Sequence, residues 1–108
     1  MANKYHAVKT IVDGITFDSK REAQRYEELR LLEKAGEISE LIVHPRYELE
    51  KADRMMCLRA INYIGDFQYR EDNHLVCEDV KGVQTAVFKM KANLFHRYYK
   101  DIELRIVK

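Results

Sequence analysis

Several of the usual pointers to function are scarce in this chain. The formal net charge is only +1 over 108 residues. No global field therefore advertises nucleic acid as a partner, and any such binding has to come from local clustering. The two cysteines, Cys57 and Cys77, form no CxxC pair and have no paired histidines at zinc spacing. That argues against a zinc ribbon or a disulfide framework and for buried or idle thiols in a reducing compartment. No apolar run approaches the roughly 18 residues of a membrane-spanning helix, and no secretory leader pattern is visible. A cytoplasmic protein with no membrane partner is expected. Pro45 is the only proline and the four glycines all fall at breaks. There is no internal repeat and no low-complexity segment.

What is present suits a single domain over residues 1–108. Apolar residues make up 46% and charged residues 34%, an ordinary globular balance rather than a disordered one, and the length allows a real core. Asp13-Gly14 between residues 9–12 and 15–17 signals a two-residue hairpin turn. Residues before Tyr5 are expected to be loose. Lys4, His6, Lys9, Lys20 and Arg21 make this end locally basic, either as solvated lysines on an arm or as phosphate contacts.

Residues 19–35 read as a helix stopped by Gly36, with Ser19 and Glu22 spaced as a capping box. At about 100° per residue its apolar arc is Tyr26, Leu29 and Leu32. Glu22, Arg25 and Glu33 fall inside that arc, so Glu22 has either a capping role or a role at a site. Residues 37–50 are extended and interrupted by Pro45, which implies an edge strand or a break between two short ones. Residues 51–57 read as a connection. Strands follow at about 58–70 and 75–81, with Gly65 marking a bulge or a close backbone approach. A second helix from residue 84 or 85 to 99 presents Val87, Phe88, Leu94, Phe95 and Tyr98 on one face. Lys91 falls on that apolar face, where it either snorkels to solvent or delivers charge to a site at the sheet edge. Residues 101–107 form a last strand. The order ββαβββαβ implies a mixed α/β (α+β) sheet with helices packed on it.

The chemistry concentrates in residues 62–82, NYIGDFQY-REDNH-LVCEDVKG. Period two puts Asp79 and Lys81 on the same side of one strand. Neighbouring strands lie about 4.8 Å apart, so Asp66 on the adjacent strand can meet them. Two carboxylates and an ammonium in one patch are costly unless a metal ion and a substrate justify them. With Glu22 brought in from the helix, each like-charged pair at about 4 Å costs several kcal/mol at an effective dielectric near 20. A hard divalent cation such as Mg²⁺ relieves this, taking one or two protein carboxylates and substrate phosphate oxygens. Lys81 can hold a phosphate oxygen or orient a water. These are the parts for metal-assisted hydrolysis of a phosphodiester. A lone D-x-K triplet is more often an exposed ion pair, and Glu78, on the opposite face with Val76 and Val80, is a competing acid. Asp79 is preferred because only it shares a side with Lys81.

The pattern of helix acid, strand Asp, D-x-K strand and following helix resembles the PD-(D/E)XK nuclease superfamily. The runs DGITFDSKREAQRYEELRLLEKAGEI, YIGDFQY, EDVKG and TAVFKMKANLF look like a small phage-encoded family within it, related in fold to Holliday-junction resolvases. The likeness spans nearly the whole chain. It implies a restriction-endonuclease-like αβββαβ core with an extra N-terminal hairpin. It also implies Asp66 and Asp79 as metal ligands, Glu22 as an additional acid, Lys81 as the catalytic lysine and Lys91 as an accessory group. Gly65 stands where the superfamily's name has proline. The implied activity is a Mg²⁺-dependent (Mn²⁺ substituting) DNA endonuclease cutting branched DNA in recombination, acting as a homodimer in the host cytoplasm. Lys4, Lys9, Lys20, Arg21, Lys89, Arg97 and Lys100 are available for phosphate contact, with affinity falling steeply with salt. Alternatives are a flap, end-processing or single-strand nuclease, or a non-catalytic DNA-binding or assembly subunit.

Overall fold

The computed structural model describes residues 8–108; the expectation of a loose start before Tyr5, and with it Lys4 and His6, lies outside them. The first feature is a hairpin of β1 (Thr10–Val12) and β2 (Ile15–Phe17). Asp13 and Gly14 both take positive φ, 53° and 76°, the twist-matching turn that Asp-Gly favours. Helix α1 (Lys20–Lys34) follows, with the Ser19 side chain accepting from Glu22 N–H at its N-terminus. Past its end Gly36 takes a φ of 80°, a conformation that glycine enters without a Cβ penalty.

Next come β3 (Ser39–Val43) and β4 (Arg46–Glu50), separated at His44-Pro45. The expected strand at 58–70 is likewise two strands, β5 (Ile61–Ile64) and β6 (Phe67–Glu71). The two breaks are coupled: Gly65 N–H donates to Pro45 O at 3.0 Å, and His44 N–H donates to Asp66 O at 2.9 Å. Both chains bend together, so β4 and β5 leave the sheet as a two-stranded ribbon. β7 (His74–Val80), helix α2 (Ala86–Tyr98) and β8 (Ile102–Val107) complete the chain.

The main sheet is mixed, in the order β3-β6-β7-β8, with β7 and β8 parallel and the other pairs antiparallel. The architecture is thus mixed α+β with two helices. β7 is central and covered on both sides, as a parallel pair requires. On one side Val76 joins Phe17, Tyr26, Leu29 and Phe67 beneath α1. On the other, Cys77 joins Tyr47, Tyr63, Phe88 and Phe95 beneath α2.

The inward arc of α2 differs from the expected one. Val87 and Tyr98 are largely exposed, while Phe88 and Phe95 are buried and Tyr99 packs beside them. Aromatic packing sets this rotation: the Phe95 ring meets Tyr47 edge-on at 4.9 Å and Tyr63 at 5.5 Å. Burying two such rings is worth about 3–6 kcal/mol, more than shielding a valine at the rim. Lys91 is half-buried on the same helix.

Candidate active site

The sheet brings the two aspartates together by register. β6 and β7 pair Phe67 with Glu78, so one step further along the antiparallel ladder Asp66 stands opposite Asp79. Directly opposed residues project to one face. Asp66 N–H donates to Glu78 O at 3.1 Å, and Val80 N–H donates to Asp66 Oδ2 at 2.6 Å. The bend at Gly65 frees the Asp66 carboxylate to take that backbone bond.

Both acids are hard to ionise. Burial pushes Asp66 up to about 6, helped by the neighbouring Glu22 carboxyl and opposed by the Val80 N–H. Burial likewise pushes Asp79, only 2% exposed, up to about 6; the Tyr63 hydroxyl opposes this and the Asp66 charge adds to it. The two titrate as a coupled pair. Lys81 Nζ sits 3.3 Å from Asp79 Oδ1 and 4.7 Å from the centroid of the Phe88 ring. An aromatic face attracts a cation, so the ammonium is held between carboxylate and ring.

Of the two roles considered for Glu22, the helix-start one is visible: its carboxylate accepts from Ser19 Oγ at 3.2 Å. The same carboxyl also helps hold the Asp66 pKa up. Glu78 is turned to the α1 side and is fully buried. Arg25 grips it through Nε at 2.5 Å and Nη2 at 3.0 Å, and Tyr69 OH donates at 2.6 Å. Its charge is therefore neutralised inside the fold. Among the described residues the ammonium paired with Asp79 is that of Lys81, not Lys91; Lys91 lies one helical turn beyond Phe88.

Tyr63 went unmarked in the sequence. Its hydroxyl donates to Asp79 Oδ2, and burial and this carboxylate push its own pKa up. The YIGD run placed an aromatic two residues before a break, which could have flagged it. The bend turns Tyr63 inward beside Asp79, and that depends on the β4–β5 ribbon.

The other basic candidates are dispersed. Lys20 and Lys89 are exposed in the first turns of α1 and α2, beside Glu22 and Phe88. Arg21 is engaged with Lys108 O at 2.9 Å. Arg97 lies in the last turn of α2 and Lys100 follows its end, a helix length from Lys81. Lys9 is exposed ahead of β1, and Lys4 lies outside the described residues. Two surface grooves, of about 520 Å³ by Glu48, Glu50 and Tyr98 and about 420 Å³ by Asp13, Tyr26 and Arg30, do not include the aspartates. The carboxylate pair lies outside both.

A divalent cation fits Asp66 and Asp79 by donor chemistry: two adjacent carboxylates, one half-buried and one buried, whose mutual repulsion is only partly offset by Lys81. Among the described residues no three His, Cys, Asp or Glu side chains are grouped to hold an ion between them, so the fit rests on these two. No helix of the described residues is long and apolar enough to cross a membrane.

The chain belongs to the family described as "Protein of unknown function (DUF1064)", whose model matches residues 2–108. No curated protein and no solved structure matches it.

Proposed function

We propose that this family member is a Mg²⁺-dependent endodeoxyribonuclease of the PD-(D/E)XK type that cuts branched DNA, a resolvase of four-way junctions. The observation that carries the reading is the opposed pair Asp66 and Asp79, with Lys81 on one carboxylate and Glu22 beside the other. The succession α1, β3, β6, β7, α2, β8, with only the last strand parallel to its neighbour, supports an αβββαβ core to which β1–β2 and the β4–β5 ribbon are additions.

In this reading Asp66 and Asp79 hold the cation, which when bound supplies positive charge to the scissile phosphate and acidifies an attacking water. Tyr63 fixes the Asp79 rotamer. Lys81, steadied by Phe88, offers its ammonium to a phosphate oxygen and stabilises charge gathering at phosphorus. Glu22, in the first turn of α1, adds a third carboxyl beside Asp66. The N-termini of α1 and α2 flank the site and add partial positive charge where a phosphate would lie. A domain this small has little room for a sequence-reading module, which favours structure over sequence as the feature recognised, and two copies would place two sites across a junction.

Labelled four-way junction, flap and linear duplex, incubated with Mg²⁺ or chelator, test this. Junction cleavage that needs the cation and disappears in Asp66→Asn and Asp79→Asn, with binding retained, is the expected result. Binding without cleavage of any substrate would overturn the catalytic assignment, and light scattering would show whether the protein is a dimer.

A further inference from the structure

The β4–β5 ribbon ends in a tip, residues 51–60, in which every residue is exposed. The tip is nevertheless built. Asp53 and Leu58 exchange backbone hydrogen bonds at 3.0 and 2.9 Å, and Asp53 Oδ1 accepts from Met56 N–H at 3.2 Å. Upon it Met55 is 93% exposed, Met56 67% and Leu58 58%. Three large apolar side chains on a protrusion gain nothing for the fold. Exposed apolar groups of this kind mark a contact with something else.

The charge around them says what. Arg21, Arg25, Arg30, Arg70 and Arg105 each pair with a glutamate, whereas Arg54 and Arg59, like Arg46 and Arg97 elsewhere, pair with no carboxylate among the described residues. Lys51 adds a third cation, and the one acid of the tip, Asp53, is committed to the turn. The tip therefore offers net positive charge around an apolar point. Its distance from the aspartates is also bounded. The seven residue steps from Arg59 through β5 to Asp66 cover at most about 23 Å at about 3.3 Å per residue, or about seven steps of duplex at 3.4 Å each. The radius of gyration, 15.3 Å, exceeds the roughly 13 Å of a compact chain this long, as a projecting ribbon requires.

We infer that the β4–β5 tip is a branch-sensing wedge: Arg54 and Arg59 take backbone phosphates of a DNA arm lying across the site, while Met55 and Met56 insert against unstacked bases at a branch point. Apolar wedges enter between base steps at the cost of unstacking, and that cost is lowest where a branch already interrupts the stack. Methionine suits the task because its unbranched chain adapts to irregular surfaces. The inference rests on the nuclease reading and specifies which substrates that site receives.

The test measures anisotropy binding to a four-way junction carrying 2-aminopurine at the branch and to a linear duplex, in chelator, across a salt series. Junction cleavage in Mg²⁺ is followed in parallel, and melting temperatures verify folding. Met55→Ser/Met56→Ser is expected to weaken junction binding about tenfold, leave duplex binding unchanged and abolish the rise in 2-aminopurine fluorescence. Arg54→Gln/Arg59→Gln is expected to weaken both and to flatten the salt slope by about two. Tip variants that bind and cut the junction like the wild type overturn the wedge and leave the nuclease reading standing. A wild type that neither binds nor cuts any DNA overturns both. A loss confined to sedimentation with anionic vesicles assigns the tip to a membrane surface and also overturns the proposal.

Discussion

Replacing Gly65 with alanine would perturb the site through sterics alone. Its φ lies outside the left-handed region, so the backbone would accept a side chain, but a Cβ there would come within 2.6 Å of Cys77 Sγ and 3.4 Å of Pro45 Cγ. The thiol has little room to yield: Cys77 is fully buried among Tyr47, Tyr63, Phe88 and Phe95, and the dry surroundings push its pKa up to about 12. Overpacking of this kind costs about 1–3 kcal/mol. Alanine recovers about 0.4–1 kcal/mol by restricting the unfolded chain, leaving a net loss of about 1–2 kcal/mol. At about 4–8 °C per kcal/mol for a domain near this size, Tm should fall by about 5–15 °C. Cys77→Ala alone should also destabilise by leaving a small cavity. In the double variant the new methyl fills part of the space the sulfur vacated, so the two losses should fail to add by about 1 kcal/mol or more. Urea unfolding of the four proteins, with m unchanged, measures the coupling. Additivity within about 0.5 kcal/mol would refute the steric account and with it the reason glycine precedes Asp66.

The aspartate pair sets a pH dependence. Both carboxyls ionise near 6 when folded and near 3.9 when unfolded, so the folded chain binds more protons between those values. Stability without divalent cations should therefore fall as pH rises from about 4 through about 6 and level off above, by on the order of 2 kcal/mol for the coupled pair. Thermal melts in chelator should show this slope weakened in Asp66→Asn; identical profiles would contradict it. At pH 7.5 added Mg²⁺ should raise the wild-type Tm by mass action and leave Asp66→Asn/Asp79→Asn unmoved. Arg25→Ala strands a fully buried carboxylate and should cost about 3–5 kcal/mol, whereas Arg25→Met/Glu78→Leu should recover most of that in urea unfolding. Tyr63→Phe should lower divalent-cation affinity about tenfold or more, read by calorimetry, with a Tm change that does not account for the loss.

Much of this was legible locally. Asp13-Gly14, the Ser19–Glu22 cap and Gly36 are short-range signals, and each marks an element boundary found in the structure. The strand carrying Asp79 was legible too; it ends at Val80, one residue before Lys81, and the i, i+2 spacing still brings Lys81 to Asp79. The ribbon was not legible. Residues 58–70 scan as one extended run, and only the paired bends at His44-Pro45 and Gly65-Asp66 divide it, through hydrogen bonds between segments some twenty residues apart. The connection read at 51–57 thereby became an exposed, structured tip.

By itself the sequence determined where the two helices and the first hairpin lie and that Asp79 and Lys81 are neighbours, because these follow from backbone geometry over a few residues. Only the tertiary structure decided that Asp66 stands opposite Asp79, that Tyr63 turns onto that carboxylate, and that Glu78 is neutralised by Arg25. Those depend on strand register and on which helix covers which face, and both are settled by burial across the whole chain.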